Sequence, residues 1–398
     1  MGVAERVWQG RGRISDRLGT ILIAVMILIL IGDILSQLLT GVIAVPYVAS
    51  IIIEGIVVGL AYGLAGIGLS MTYSILSFAN FAHGDTITVG AFSGWSVAYA
   101  IGGIGSTSFG SLFLLNATPG ISIITSFWVV ILGLISAAVI TVAVSLAVDR
   151  LVYYPIRDAE GISLLIASIG VALTFRYLIA FFYGTSVRGI TDPASKVGLF
   201  SVNGQIGVGV IRPDQQLAQL TSTDALPTFL ELTSTTGPSE VILSMTLHAV
   251  VLVVVASLLM LGVHLLLQQT KLGKAMRAMA DNKSLAQVSG IPTERIIRMT
   301  WIIGGALTGM AGFLIVLNSG TTNFNFGWRL LLYIFASVIL GGIGSIYGAI
   351  AGGLIIGLVN SVAIIWLPSG LTKVAAFAVL IIVLLVRPEG LFGGVTTA

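Results

Sequence analysis

Charge is what this sequence has least of: Asp, Glu, Lys and Arg make up 9% of its 398 residues, while 56% are hydrophobic. A soluble domain carries about 25% charged residues and uses them to cover its water-facing surface. A chain this poor in charge has no such exterior. That excludes a soluble enzyme, a nucleic-acid binder and a disordered scaffold. Cysteine is absent, so disulfides, thiolate metal sites and a cysteine nucleophile are excluded as well. The net charge of +3 gives no reason to expect a nucleic-acid partner. What the chain does have is apolar length and 49 glycines. In lipid, small residues let helix backbones approach closely where the hydrophobic effect no longer drives association.

A spanning helix needs about 20 mostly apolar residues, because lipid offers no water to free backbone groups. Ten runs meet or approach that length: Gly19–Leu39, Val48–Tyr73, Asp85–Gly102, Ser122–Val148, Ile162–Tyr183, Val241–Leu267, Met299–Asn318, Leu330–Gly344, Tyr347–Trp366 and Thr372–Val386. The expected fold is therefore all-α, a polytopic membrane protein of about ten transmembrane helices. Short or broken elements are expected near 74–85 and 330–345. Thirteen of the 19 Lys and Arg residues fall on one set of alternate connections and five on the other, with Arg176 inside a run. Cytoplasmic loops are enriched in Lys and Arg, so both termini are expected in the cytoplasm of a multi-pass cell-membrane protein. The first run exceeds the usual apolar core of a signal peptide and no small-x-small cleavage site follows it, so it is expected to be retained.

Two polar stretches organise the rest. Thr185–Glu240 faces outward on this topology and is expected to form a small cap or a loose loop. Residues 270–298 form the main inward connection. From Leu272 to Val288 this connection is rich in helix formers, with Met276, Met279, Leu285 and Ala286 spaced to share part of one face. Gly290 supplies a stop and Pro292 bars continuation. The product is a short amphipathic helix under the bilayer, suited to docking in a groove of a soluble partner.

Four stretches in order resemble the permeases of the branched-chain amino-acid ABC importers, the LivH-type permeases. They are GLAYGLAGIGLSMTYSILSFANFAHGD (59–85), DRLVYYPIRDAEGISLLIASIG (149–170) with its Tyr-x-Pro-x-Arg step, the pattern Arg277, Ala278, Ala280, Asn282, Ala286, Gly290, Ile291, and VILGGIGSIYGAIAGGLIIG (338–357) followed by LLVRPEGLFG (384–393). The resemblance implies a permease transmembrane domain over 48–393, preceded by an N-terminal extension with an extra helix (1–47) and followed by a short tail (394–398). It implies a second related permease, two cytoplasmic ATPases, an extracytoplasmic binding protein and a small neutral solute. It also implies that Arg277, Ala278, Asp281, Asn282, Ala286, Gly290 and Ile291 couple the ATPases to the spans. The same fold serves urea and short amides. Departures from the family pattern are the first helix, the long outward loop and Arg176.

The only Gly-Lys pair, Gly273-Lys274, is followed by Ala275, so the chain lacks a Gly-x-x-x-x-Gly-Lys-Ser/Thr phosphate loop and ATP hydrolysis must come from another polypeptide. No nucleophile–base pair appears at usable spacing, and His248 and His264, four turns apart, cannot share a metal. No enzyme, cofactor or metal site is expected. Candidates for the translocation path are Glu54 within a span and Asn80, His83 and Asp85 in the turn SFANFAHGD. A break at membrane depth frees backbone and polar groups for a solute. The plainer alternative is that Asp85 caps the next helix, Gly84 permits the turn and His83 bonds inside the bundle. Glycines 55, 59 and 63, and 344, 348 and 352, repeat every four residues as packing faces. An ion-gradient transporter or channel working through Glu54 or His83 is the rival reading, and an intramembrane enzyme a more distant one.

Overall fold

The computed structural model describes residues 21, 24–104, 108, 110, 115, 120–121, 126–157, 159, 161–191, 196–202, 205–211, 217–219, 233–234 and 239–393, with side chains outside 200–242. The expected cytoplasmic N-terminus up to residue 20 and the tail 394–398 lie outside the described residues. Seven helices are long and apolar enough to cross a bilayer. Among them is α2 (Val45–Leu76), whose 32 residues extend about 48 Å at 1.5 Å per residue. The others are α4 (Phe127–Val148), with its continuation to Ile156, α5 (Gly161–Tyr183), α6 (Leu247–Gln269), α9 (Thr293–Ser319), α11 (Ile346–Val362) and α12 (Thr372–Val386). Two shorter apolar helices, α1 (Ala24–Leu39) and α10 (Phe326–Gly341), join them. So does α3 (Ala82–Gly103), whose first turns are polar. The described parts of all ten expected runs are helical, apart from Ser126 in the fourth, the first six residues of the sixth, the last three of the eighth and Trp366 in the ninth.

α9 is the axis of the bundle. It is buried along most of its length and packs against α2, α3 and α4. Glycines and threonines there (Gly304, Gly305, Thr308, Gly309, Gly312) let its neighbours approach: a Cβ at Gly305 would stand 2.9 Å from Ser145 Oγ.

α2 and α11 form the second close contact. A Cβ at Gly55 would lie 2.9 Å from Leu358 Cα, and one at Gly59 2.8 Å from Leu354 Cα. The facing glycines are Gly353 and Gly357, set against Gly63 and Gly59. The expected second ladder holds in part. Gly344 departs from it, sitting in a turn with φ +87°, whereas Gly348 and Gly352 pack on α10, against Gly341 and Ser337. A helix with glycines on two sides can be clasped between two neighbours, and α11 is.

The stretch expected to face outward holds more order, in its described residues, than a loose loop. Strands β2 (Lys196–Val202), β3 (Gln205–Ile211), β4 (Leu217–Gln219), β5 (Thr233–Ser234) and β6 (Ser239–Thr246) form an antiparallel sheet in the order β5-β4-β3-β2-β6. β6 runs straight into α6, so the sixth span starts at Leu247 and not at Val241. Thr246 caps it, its hydroxyl accepting from Ala249 N–H. Nearby, β1 (Arg188–Gly189) pairs with β7 (Thr321–Thr322), joining the ends of α5 and α9. Trp95 Nε1–H donates to Gly189 O over 3.1 Å and locks α3 to that end.

The 270–298 connection also departs from expectation. In place of one helix there are two, α7 (Lys271–Asp281) and α8 (Lys283–Val288), separated at Asn282. Asn282 is extended (φ −158°) and caps α8, its side-chain oxygen accepting from Leu285 N–H. An Asn side chain competes well with a helical turn for backbone donors, which explains the break. The Gly290 stop is realised: φ is +82°, and Ile291 N–H reaches back to Ala286 O.

Candidate functional site

The turn between α2 and α3 is a junction of four helices. α2 ends at Ser77, whose φ of 55° turns the chain out of the helix. Asn80, buried, then anchors the break: its Oδ1 accepts from Ala82 N–H at 3.1 Å and from Tyr153 O–H at 3.1 Å. Phe81 N–H donates to Ser168 Oγ of α5. His83, also buried, places Nε2 2.9 Å from Ala65 O on α2. Gly84 meets Gly327 backbone to backbone, and Gly327 N–H donates to Thr88 Oγ1.

Asp85 is no helix cap, because α3 already begins at Ala82 and no side chain caps it through Asp85. It lies in the first turn, fully buried, and takes a two-pronged ion pair from Arg176 of α5, with Nε to Oδ1 at 3.0 Å and Nη2 to Oδ2 at 2.7 Å. The guanidinium also lies over the Trp328 ring, 4.6 Å from its centroid. An intramembrane charge is costly unless paired. Asp85 and Arg176 satisfy each other.

Tyr153 carries the junction toward α9. It closes a single π-helical turn, Asp149–Tyr153, in which Tyr154 N–H bonds Asp149 O. Pro155 next along has no N–H to extend a regular helix, and a short 3-10 turn follows. The Tyr153 ring stacks on Trp301 of α9, with centroids 5.5 Å apart and planes 10° apart. The indole Nε1–H of Trp301 is buried with no partner among the described residues. Asn80, Thr86, Ser145, Tyr153 and Trp301 line a cavity of about 10 Å³. Sites for drug-sized ligands measure about 300–1,000 Å³, so this conformation is packed shut here.

Just beyond, Arg157 holds three elements. Its Nη1 donates to both oxygens of Glu294 in the first turn of α9 (2.9 and 2.8 Å), and Nη2 to Asp149 Oδ1 at 2.7 Å. Burial alone would lower the Arg157 pKa, but its carboxylate partners Glu294 and Asp149 outweigh that and raise it.

Of the path candidates, Asn80, His83 and Asp85 come together, each engaged within the protein. Glu54 stands apart, exposed on α2, with no hydrogen bond or ion pair among the described residues. Of the residues expected to couple, Ala286 is buried, Arg277, Ala278 and Ile291 are half-buried, and Asp281, Asn282 and Gly290 are exposed. The expected apolar stripe divides. Met276 and Met279 pack into the core at 1% and 2% exposure, whereas Leu285 and Val288 of α8 stand out at 64% and 87%. Arg277 reaches Gln268 Oε1, and Gln268 in turn donates to the Tyr347 hydroxyl. Sequence reasoning missed Tyr153, Arg157, Glu294 and Trp301. The Tyr-x-Pro-x-Arg step was their signal, since its Tyr is 153 and its Arg is 157.

Comparison with known proteins supplies the class. Residues 51–384 match the family described as "Branched-chain amino acid transport system / permease component". The high-affinity branched-chain amino acid transport system permease protein LivH of Salmonella typhimurium is 29% identical over 341 residues, covering 85% of this chain and 94% of that protein. BraD of Pseudomonas aeruginosa, a permease protein of the same description, is 28% identical over 345 residues, 86% of this chain and 94% of BraD. The probable branched-chain amino acid transport permease protein LivH of Methanocaldococcus jannaschii is 38% identical over 146 residues, 35% of this chain and 46% of its own. No solved structure matches the chain.

Proposed function

Because this multi-pass chain belongs to the branched-chain amino acid transport permease family, we propose that it is a membrane subunit of an ATP-driven importer for branched-chain or other neutral amino acids. Separate ATPase subunits would drive it, a second permease would complete the path, and an extracytoplasmic binding protein would deliver the solute. The match over 51–384 carries this reading. Two further features support it. The chain has no phosphate loop of its own. Its inward connection presents Leu285 and Val288, two large exposed apolar side chains, on α8, whose Ala286 alone is buried against the protein. Such a face gains by entering a groove on another protein.

In this reading α7 and α8 form a bent coupling rod. The methionines of α7 fix the rod to the bundle and α8 meets the ATPase. Asn80, His83 and Asp85 shape the break in the path, while Glu54, on an apolar helix and without a partner among the described residues, faces the second permease or the solute.

The absence of cysteine gives a direct test. Leu285→Cys and Val288→Cys, introduced singly, should crosslink to a nucleotide-hydrolysing protein in native membranes, whereas a cysteine in place of the exposed Ile52 on α2 should not. Labelling of residue 285 only from the extracytoplasmic side would sink the proposal.

A further inference from the structure

We infer that Arg157 is the positioning residue through which displacement of the α7–α8 rod reaches the helix break at Asn80. This rests on the rod facing the ATPases, as proposed above.

The rod is short of slack. Only the Ser289–Pro292 turn separates α8 from α9, and Glu294 lies in the first turn of α9. Glu294 grips Arg157 with both oxygens, and the same guanidinium holds Asp149. Arg157 therefore pins the start of α9 to the first residue of the π-helical turn. The far end of that turn is held by the same helix. Trp301 follows Glu294 by seven residues, two turns of helix, so it lies on the same face and stacks on Tyr153. α9 thus holds the Asp149–Tyr153 turn at both ends, through an ion pair at one and a ring stack at the other. The Tyr153 hydroxyl passes the position on to Asn80 Oδ1, which also receives Ala82 N–H at the start of α3.

What lies between the two grips is the compliant piece. A π-helical turn carries one extra residue, and such turns occur mostly as single-turn bulges inside α-helices, frequently at functional sites. Pro155 prevents the regular ladder from re-forming beyond it. Relaxing the turn toward α geometry would rotate Tyr153 relative to Asp149 and withdraw its hydroxyl from Asn80. The burial of Arg157 agrees with a dedicated role. Its side chain is 9% exposed, and its Nε is buried without a partner among the described residues. Surface ion pairs made only for charge balance are not desolvated to that degree.

The test uses the whole importer in proteoliposomes, reading ATP hydrolysis and solute uptake separately. Glu294→Gln keeps the size of an exposed side chain and removes its charge. ATP hydrolysis should stay within about twofold while uptake per ATP falls at least fivefold. Glu294→Asp should restore part of the loss, and Tyr153→Phe, which spares the ring stack, should reproduce it from the other end. Unchanged uptake per ATP in E294Q and Y153F overturns the inference. So does a parallel fall in hydrolysis and uptake, which marks mere misassembly. A Leu285→Cys crosslink to the ATPase, made in the E294Q chain, separates the two readings. If it forms while uptake per ATP is normal, Arg157 is not the link and the rod reading stands. If it fails in the otherwise unaltered chain too, the rod reading falls first.

Discussion

The α2–α11 seam and the Asn80 junction both bring helices into close contact, by opposite means. At the seam there are no side chains to interpose: Gly55, Gly59, Gly353 and Gly357 bring backbone against backbone. At the junction Asn80, Tyr153, Asp85 and Arg176 meet through directed polar bonds. Shape holds one and chemistry holds the other. The seam should therefore fail when volume is added, and the junction when a partner is removed.

The largest effect is expected at the seam. A Cβ at 357 would stand 2.5 Å from Gly55 O. Overpacking that side chains can absorb costs about 1–3 kcal/mol, and backbone yields less readily. Gly357→Leu should thus cost about 3 kcal/mol or more and sharply reduce the yield of folded, detergent-extracted protein. Gly170→Leu, on α5 with nothing within 4 Å of its Cβ, should stay within about 0.5 kcal/mol. Equal losses in the two variants would show that any added bulk in a span is harmful and that the seam is not special.

Next comes the ion pair. Asp85→Asn leaves the Arg176 guanidinium without its counter-charge, and breaking a buried pair costs about 3–5 kcal/mol, read as a lower midpoint of thermal unfolding in detergent. The double variant Asp85→Leu with Arg176→Met should recover most of that loss, because the pair's desolvation penalty disappears with it. A double variant as unstable as D85N would mean that Asp85 serves the fold through something other than Arg176.

The smallest effects sharpen the comparison inside the junction. Tyr153→Phe removes one buried hydrogen bond, worth about 1 kcal/mol in helix bundles within lipid. Trp301→Phe keeps an aromatic ring against Tyr153 and gives up an N–H that has no partner among the described residues, so it should cost less than Y153F. The reverse order in thermal unfolding would place the weight of the junction on α9 rather than on Asn80.

Much of the architecture was legible in the residues. The described parts of all ten apolar runs are helical but for the start of the sixth, the end of the eighth and single residues at the edges of the fourth and ninth, because unbonded backbone cannot rest in lipid. The edges were harder. Val241–Thr246 is as apolar as a span but pairs with β2, and hydropathy does not separate a strand from a helix over so few residues. Leu272–Val288 read as one helix because every residue tolerates helix; the cap made by Asn282 divides it. Asp85 read as a cap for the same local reason, and its partner lies 91 residues away. The ladder at 344, 348 and 352 had the right spacing, yet spacing on a helix names no neighbour, and the glycines facing α2 were 353 and 357.

By itself, then, the sequence determined the solvent and the helices of the bundle: too little charge for water, and enough apolar length to span. These follow from each residue's own free energy of transfer and from local hydrogen bonding. Only the tertiary structure decided which polar side chains meet, that Arg176 answers Asp85 and that Arg157 joins Asp149 to Glu294. Those pairings depend on how helices cross, and helix crossing is settled by packing between residues far apart in the chain.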